Sequence, residues 1–136
     1  YCDIMIGSFG EKKVVNAGFG GFIATDNEDY SSQLNEIVEP PEFDEEQLQT
    51  LEKHLQDTPE RLKFLYKKHD QIIEDLKRYK IIHRDEKGIN VIVSFGNETE
   101  KQEILAYCEK NSYEFEICPR EIRVMEDAVS IEVKRL

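Results

Sequence analysis

The sequence predicts an α+β fold in which helices cover a mixed sheet. Three observations carry this prediction: a long apolar stripe at helical spacing in the middle of the chain, two β-rich runs directly after it, and alternating apolar and polar residues near the C-terminus. In chain order we expect an αα-hairpin with a long second helix, a β-hairpin, and a C-terminal β-α-β-β unit. At 136 residues the chain has the length of a single domain, residues 1–136.

Residues 1–25 are predicted to form a small β meander. Residues 2–7 and 22–24 have the composition of strands, and residues 13–15 supply a third strand between them. We interpret the glycine cluster at residues 18–21 as turn glycines, because a β-like segment follows it rather than the helix N-terminus that a phosphate site needs.

Residues 26–42 are predicted to be an acidic connection on the surface, with residues 31–38 as its one candidate helix. The acidity continues beyond this connection. Residues 26–57 hold eleven acidic side chains against Lys53 alone, whereas residues 59–88 hold nine Lys and Arg against six acids. This asymmetry indicates attraction within the chain or to a charged partner, although a solvated surface explains it more simply.

Residues 43–80 are predicted to form the αα-hairpin. Asp44 is a good N-cap with Gln47 three residues later, and Pro59 suits the first position of a second helix because its missing N–H would be unbonded there. Apolar residues recur in steps of three and four along both arms: Leu48, Leu51, Leu55, Leu62, Leu65, Tyr66, His69, Ile72, Ile73, Leu76 and Tyr79. We expect His69, which lies on this stripe, to be partly buried.

Residues 80–136 are predicted to contain the β-hairpin and the β-α-β-β unit. The β-rich runs 80–84 and 89–93 flank a four-residue turn in which Gly88 takes a positive φ angle. The second of these runs is also the first strand of the β-α-β-β unit.

A capped helix is predicted from Asn97 or Thr99 to Lys110, with three residues facing inward: Ile104, Leu105 and Cys108. Residues 113–117 and 129–133 alternate apolar and polar side chains, so each is expected to be a strand with one wet face. If the strands on either side of the helix share a sheet, their connection is a right-handed parallel crossover.

The composition limits the classes of function. A net charge of −11 opposes a general nucleic-acid binder, because phosphate contacts need a cationic surface. No apolar run approaches the roughly 18–20 residues of a membrane span, so we expect no membrane association. Cys2, Cys108 and Cys118 make an odd count, which favours the cytoplasm or another reducing intracellular compartment. Cys108 is expected in the core and Cys118 as an exposed thiol.

Motifs for catalysis and metal binding are weak. His83, Asp85 and Asn90 have the spacing of a protein-kinase catalytic loop, but Ser94 stands where a metal-binding carboxylate is needed, which favours a hairpin turn. The histidines and cysteines lack the close pairing of zinc ligands. We therefore assign no catalytic residue, no metal and no cofactor.

The leading functional hypothesis is a non-enzymatic protein–protein interaction or regulatory domain that uses an acidic surface and the long amphipathic helix. Its partner would be another protein or a second copy of the chain. The candidate partner-binding residues are the acids around the start of the helical region: Glu39, Glu42, Asp44, Glu45 and Glu46.

Two alternatives stay open. A winged-helix nucleic-acid-binding domain would contact phosphates through five basic residues: Lys77, Arg78, Lys80, Arg84 and Lys87. It requires a break in the long helix near residues 69–71, so one continuous helix would exclude it. The other alternative is a small enzyme whose site is assembled from the glycine-rich segment and the 26–42 loop, since long loops often carry sites.

Overall fold

The structure, a computed structural model, describes residues 2–39, 42–118 and 124–136, and it has the predicted α+β class. Two antiparallel sheets and three α-helices are seen within these residues. In chain order the elements are β1 (Met5–Ser8), β2 (Gly21–Ala24), α1 (Glu28–Ile37), α2 (Glu45–Asp75), β3 (Lys80–Ile82), β4 (Val91–Ser94), α3 (Glu98–Lys110), β5 (Phe115–Cys118), β6 (Ala128–Ile131) and a short 3-10 helix (Val133–Arg135).

The chain divides into two compact units, Tyr1–Pro59 and Glu60–Leu136, and α2 contributes residues to both. We call them the N-terminal unit and the C-terminal unit. Whether the two fold together as a single domain stays a prediction, because compactness within each unit does not test it.

The N-terminal unit contains a two-stranded antiparallel ribbon, in which Met5 of β1 lies opposite Ala24 of β2. The predicted meander is corrected here, since residues 13–15 form a bend rather than a third strand. The chain turns tightly there, with the amide of Lys13 donating to the carbonyl of Gly10 at 3.0 Å. The ribbon is therefore left with two strands.

Helix α1 lies inside the segment predicted to be a connection. The Asn27 side chain caps it by accepting from the amides of Asp29 and Tyr30. Acids in the first turn, Glu28 and Asp29, complement the positive end of the helix dipole. No residue of α1 is buried, so the surface character predicted for this segment is correct, whereas its helix begins three residues earlier than expected.

Helix α2 corrects the αα-hairpin, because residues 45–75 form one helix with Pro59 in its interior. Asp44 and Gln47 cap its start reciprocally, as predicted, at 2.8 and 2.9 Å. Thr58, directly before Pro59, does not cap a second helix and donates its hydroxyl to the carbonyl of His54 one turn back, at 2.6 Å. A proline removes a single helical hydrogen bond, and the turns on either side continue past it.

The continuous α2 also excludes the winged-helix alternative. That fold needs a break near residues 69–71, but His69 and Ile72 are both buried on the same face of an unbroken helix. The prediction that His69 would be partly buried is confirmed at 6% exposure.

The C-terminal unit is built on a four-stranded sheet in the order β3-β4-β6-β5, and every neighbouring pair is antiparallel. The predicted hairpin of β3 and β4 is confirmed, but its loop is longer than four residues and the positive φ falls on His83 rather than Gly88. Strands β4 and β5 run in the same direction, as a crossover requires. They do not pair, because β6 lies between them, which corrects the mixed sheet to an antiparallel one.

The core of the C-terminal unit explains two further corrections. Strand β6 lies between two other strands, and its residues are buried on both faces of the sheet. The wet face predicted for residues 129–133 is therefore absent, since Ser130 is 1% and Glu132 3% exposed. Cys118, predicted as an exposed thiol, is 1% exposed and lies opposite buried Ala128 in the sheet. Cys108 lies in the core as predicted.

Candidate functional site

The N-terminal unit contains a groove of about 610 Å³ between the β1–β2 ribbon and helix α1. We call it the ribbon groove. Its ribbon side includes Ile6, Phe22 and Ile23, and its helix side includes Leu34 and Val38. The lining is therefore largely apolar.

Helical periodicity explains how α1 reaches the groove. Ser31, Leu34, Asn35 and Val38 follow the spacing i, i+3, i+4, i+7, which places them on one face of a helix. Among these residues Ser31 supplies a hydroxyl and Asn35 an amide, and Thr25 adds a second hydroxyl from the end of the ribbon.

The glycines of the ribbon make room for aromatic rings. Gly20 has a φ angle of +82°, and a Cβ there would lie 2.5 Å from Cζ of Phe43. Phe43 also stacks on Phe19 with a centroid distance of 5.0 Å. A Cβ on Gly7 would overlap the ring of Phe22. The interpretation of Gly18 and Gly20 as turn glycines is confirmed by their positive φ angles.

The chemistry of the groove favours binding over catalysis. Its lining includes residues of the glycine-rich segment and of the 26–42 region. These are the two segments from which the enzyme alternative would build an active site. None of its lining residues has an ionisable side chain, so the lining offers no general acid or base. Its apolar groups are exposed instead: Ile6 is 75%, Ile23 41% and Phe22 39% exposed.

The acidic residues predicted to bind a partner belong to the same unit. Glu39 directly follows Val38, which lines the groove, and residues 44–46 directly follow Phe43, which packs on Gly20. All five side chains are exposed. Asp44 has a structural role as well, since its carboxylate caps α2.

The five basic residues of the nucleic-acid alternative do not form a free cationic surface. Three are engaged with carboxylates: Lys77 with Glu74, Arg78 with Glu103, and Lys80 with Glu126. Arg84 and Lys87 are exposed in the loop between β3 and β4, where exposed Asp85 and Glu86 stand between them, and Arg84 interacts electrostatically with Glu74. These two cations, matched by nearby acids, are too few for a phosphate-binding patch.

Sequence reasoning missed a second polar cluster, at the end of β6 in the C-terminal unit. The carboxylate of Glu132 accepts from Ser130 Oγ at 2.9 Å and Asn90 Nδ2 at 3.0 Å, and it pairs with Lys134 Nζ at 2.5 Å. Alternation of apolar and polar residues had placed Ser130 and Glu132 on a wet face, so no sequence signal pointed to this cluster. Arg61 reaches it by donating to the carbonyl of Lys134 at 3.2 Å.

Residues 47–136 match the MJ1341 family C-terminal domain, which covers 90 of the 136 residues. The chain belongs to this family. No curated protein and no solved structure matched the chain. The MJ1341 family C-terminal domain thus includes all of the C-terminal unit, and the residues that line the ribbon groove precede the match.

Within the MJ1341 family domain both cysteine thiols are buried. Burial raises the pKa of the Cys108 thiol to about 11, which keeps it protonated at neutral pH, and Cys118 is buried as well. Among the residues that the structure describes, no group of three or more His, Cys, Asp and Glu side chains is arranged to hold a metal ion. None of the described helices combines the length and apolarity needed to cross a membrane.

Proposed function

We propose that the chain is a non-enzymatic protein-interaction module, possessing a partner-binding surface formed by the ribbon groove and the acidic residues beside it. The observation that carries this proposal is an apolar groove lined without any ionisable side chain. Such a groove binds apolar side chains of another molecule rather than activating a substrate.

The ribbon itself supports the proposal. A two-stranded ribbon is at best marginally stable alone in water, so covering its exposed apolar side chains stabilises it. Burying Ile6, Phe22 and Ile23 against a partner removes apolar surface from water, which is the main driving force of association. Leu48 and Leu55 add two exposed apolar side chains on α2, the long amphipathic helix.

The charges beside the groove indicate the chemistry of the partner. Exposed carboxylates attract cationic segments and steer their approach, and salt screens this attraction. The partner segment should therefore combine apolar side chains with flanking Lys or Arg. A regulatory role would follow if that segment belongs to the active region of another protein.

The test is capture of proteins from native extract by the immobilised chain at increasing salt concentration. The acidic variant combines Glu39→Gln, Glu42→Gln, Asp44→Asn, Glu45→Gln and Glu46→Gln, where Asn at position 44 preserves the helix cap. The matched control neutralises five exposed acids of the C-terminal unit: Glu60, Asp70, Glu74, Glu109 and Asp127. We expect the acidic variant to lose the captured protein and the control to retain it, with circular dichroism spectra unchanged.

A second pair of variants tests the groove. Ile6→Asn should abolish capture, whereas Ile117→Asn, at an exposed apolar residue of β5, should not. Capture that survives both the acidic variant and Ile6→Asn would contradict the proposal.

A further inference from the structure

We infer, building on the proposed function, that the segment bound in the ribbon groove is a short amphipathic helix with basic residues at its ends. Its apolar side chains would enter the groove at helical spacing, and its Lys or Arg side chains would meet carboxylates at the two ends of the groove. Three features carry the inference: the apolar surface of the ribbon, the few polar groups of the lining, and the position of the acidic charge.

The ribbon presents an apolar pair to the groove. Ile6 of β1 and Ile23 of β2 lie directly opposite each other in the register of the ribbon, so their side chains stand side by side on one face. They are 75% and 41% exposed, and Leu34 and Val38 line the groove from the α1 side. Apolar residues at positions i, i+3 or i+4 and i+7 of a partner helix project along one face and would contact these side chains together.

The polar groups of the lining favour a helix over an extended segment. Thr25 Oγ1 is already engaged, since it donates to the carbonyl of Asp3 at 2.6 Å and accepts from the amide of Asn27 at 3.1 Å. Of the lining side chains, this leaves the Ser31 hydroxyl and the Asn35 amide to bond a partner. An extended segment in the groove would bring an unpaired N–H and C=O at nearly every residue, whereas a helix pairs these groups internally. Strand pairing at the edge of the ribbon would satisfy such a backbone but would leave the groove empty.

The unit that contains the groove carries almost all of the net negative charge. Residues 1–59 hold thirteen Asp and Glu against three Lys, whereas residues 60–136 hold sixteen Asp and Glu against fifteen Lys and Arg. All thirteen carboxylates are exposed, and every ion pair found in the described part of the chain lies within residues 60–136. The uncompensated acids of the N-terminal unit therefore favour a cationic partner.

Two of these acids mark the ends of the groove-facing stretch of α1. Glu28 lies about one turn before Ser31, and Glu39 directly follows Val38. At 1.5 Å per residue the distance along α1 from Glu28 to Val38 is about 15 Å. A partner helix of about ten residues spans the same distance, so basic residues at its two ends would reach Glu28 and Glu39 while its middle contacts the apolar lining.

The test is fluorescence anisotropy of three labelled peptides of about 14 residues with the full chain. The first peptide arranges Leu and Lys so that Leu recurs at helical spacing. The second contains the same residues in alternating order, which favours a strand, and the third keeps the helical order but replaces Lys by Glu. We expect the first peptide to bind at least about tenfold more tightly than either of the others, with an affinity that falls as salt rises. Circular dichroism of the complex should show more helix than the free chain and the free peptide together.

Variants of the chain locate the bound peptide. Ile6→Asn should weaken binding of the first peptide at least about tenfold, because it places a polar side chain in the apolar pair. Glu28→Gln with Glu39→Gln should weaken it at least about threefold. The matched control is Glu60→Gln with Glu109→Gln, at two exposed acids of the C-terminal unit, and it should leave the affinity unchanged. Circular dichroism of each variant verifies that it is folded.

The outcomes separate this inference from the proposed function. Equal binding of the helical and alternating peptides overturns the helical partner, and equal binding of the Leu–Glu peptide overturns the basic one. Undiminished binding to the Ile6→Asn variant shows that the peptide lies elsewhere and also overturns the inference. If no peptide binds while Ile6→Asn still abolishes capture from extract, the interaction module stands and the basic helical partner is wrong.

Discussion

Asn90 donates its side-chain amide to the carboxylate of Glu132 at 3.0 Å, across the junction where β4 and β6 pair. The Glu132 side chain is only 2% exposed, and Lys134 and Ser130 also donate to it. A buried carboxylate is costly unless donors surround it, and here they come from the residue before β4, from β6 and from the segment after β6. The stability of this end of the sheet therefore depends on Glu132.

Replacement of Glu132 by Ala should lower the free energy of unfolding by about 3 kcal/mol, because it removes the buried acceptor of Asn90 and Ser130 and leaves partly buried Arg135 and Lys134 with fewer acceptors. The matched control is Glu114→Ala, which removes an exposed partner of Arg135 and should cost less than about 1 kcal/mol. Urea denaturation followed by circular dichroism measures both values. If both variants lost the same free energy of unfolding, the burial of Glu132 would not be the cause of its larger contribution.

Gly20→Ala should destabilise the N-terminal unit by about 2 kcal/mol or more, since the new methyl group would meet Phe43 at a backbone conformation that disfavours side chains. Gly18→Ala is the control, because its φ angle is +83° but no atom lies within 4 Å of the added Cβ. It should cost only about 1 kcal/mol. Thermal unfolding of the two variants compares them, and a Gly18 effect as large as that of Gly20 would refute the steric contribution.

Pro59→Ala should stabilise the chain by about 1–3 kcal/mol, because alanine restores the hydrogen bond that proline omits inside α2. If Pro59 were the first residue of a second helix, the same change would be neutral or slightly destabilising. Gln56→Ala, at an exposed position of the same helix, should change stability by less than about 0.5 kcal/mol. Chemical denaturation distinguishes these results.

Stability should fall as the pH rises above about 10, because burial and the hydrogen bond to Asp75 raise the pKa of Tyr107 in the folded chain. The unfolded chain releases this proton near pH 10 while the folded chain keeps it, so alkali favours unfolding. Tyr107→Phe should reduce the slope of stability against pH in this range, and Asp75→Asn should reduce it less. Part of the slope should remain in the Tyr107→Phe variant, because the pKa values of Tyr79 and Tyr113 are also raised in the folded chain. An unchanged slope in Tyr107→Phe would contradict the assignment.

Local signals in the sequence predicted several elements well. Asn97 caps α3 as expected, with its side chain accepting from the amide of Glu100 at 3.0 Å, and α3 ends at Lys110. The hairpin of β3 and β4 and the cap at Asp44 were likewise predicted from neighbouring residues. These features depend on contacts within a few residues, which is the range that a sequence pattern records.

The candidate site was predicted only in its components. The glycine-rich segment, the acidic stretch and the exposed acids are visible in the sequence, but the ribbon groove exists because α1 packs its Ser31–Val38 face on the ribbon. No local pattern specifies which helix face meets which sheet face. Asn27, which caps α1, was not recognised as a helix start, and the helix was placed at residues 31–38.

The sequence by itself determined the α+β class, the capped starts of α2 and α3, and the turn glycines Gly18 and Gly20, because the caps and turns depend on local backbone chemistry. Only the tertiary structure decided that α2 passes through Pro59 without a break and that β6 lies between β4 and β5. The physical reason differs between the two. A proline omits one helical hydrogen bond and occurs in a helix interior as well as in a first turn, so residue type alone does not show whether a helix continues through Pro59. Central placement of β6 is a matter of long-range packing, and it buries Ser130 and Glu132, which alternation alone assigns to solvent.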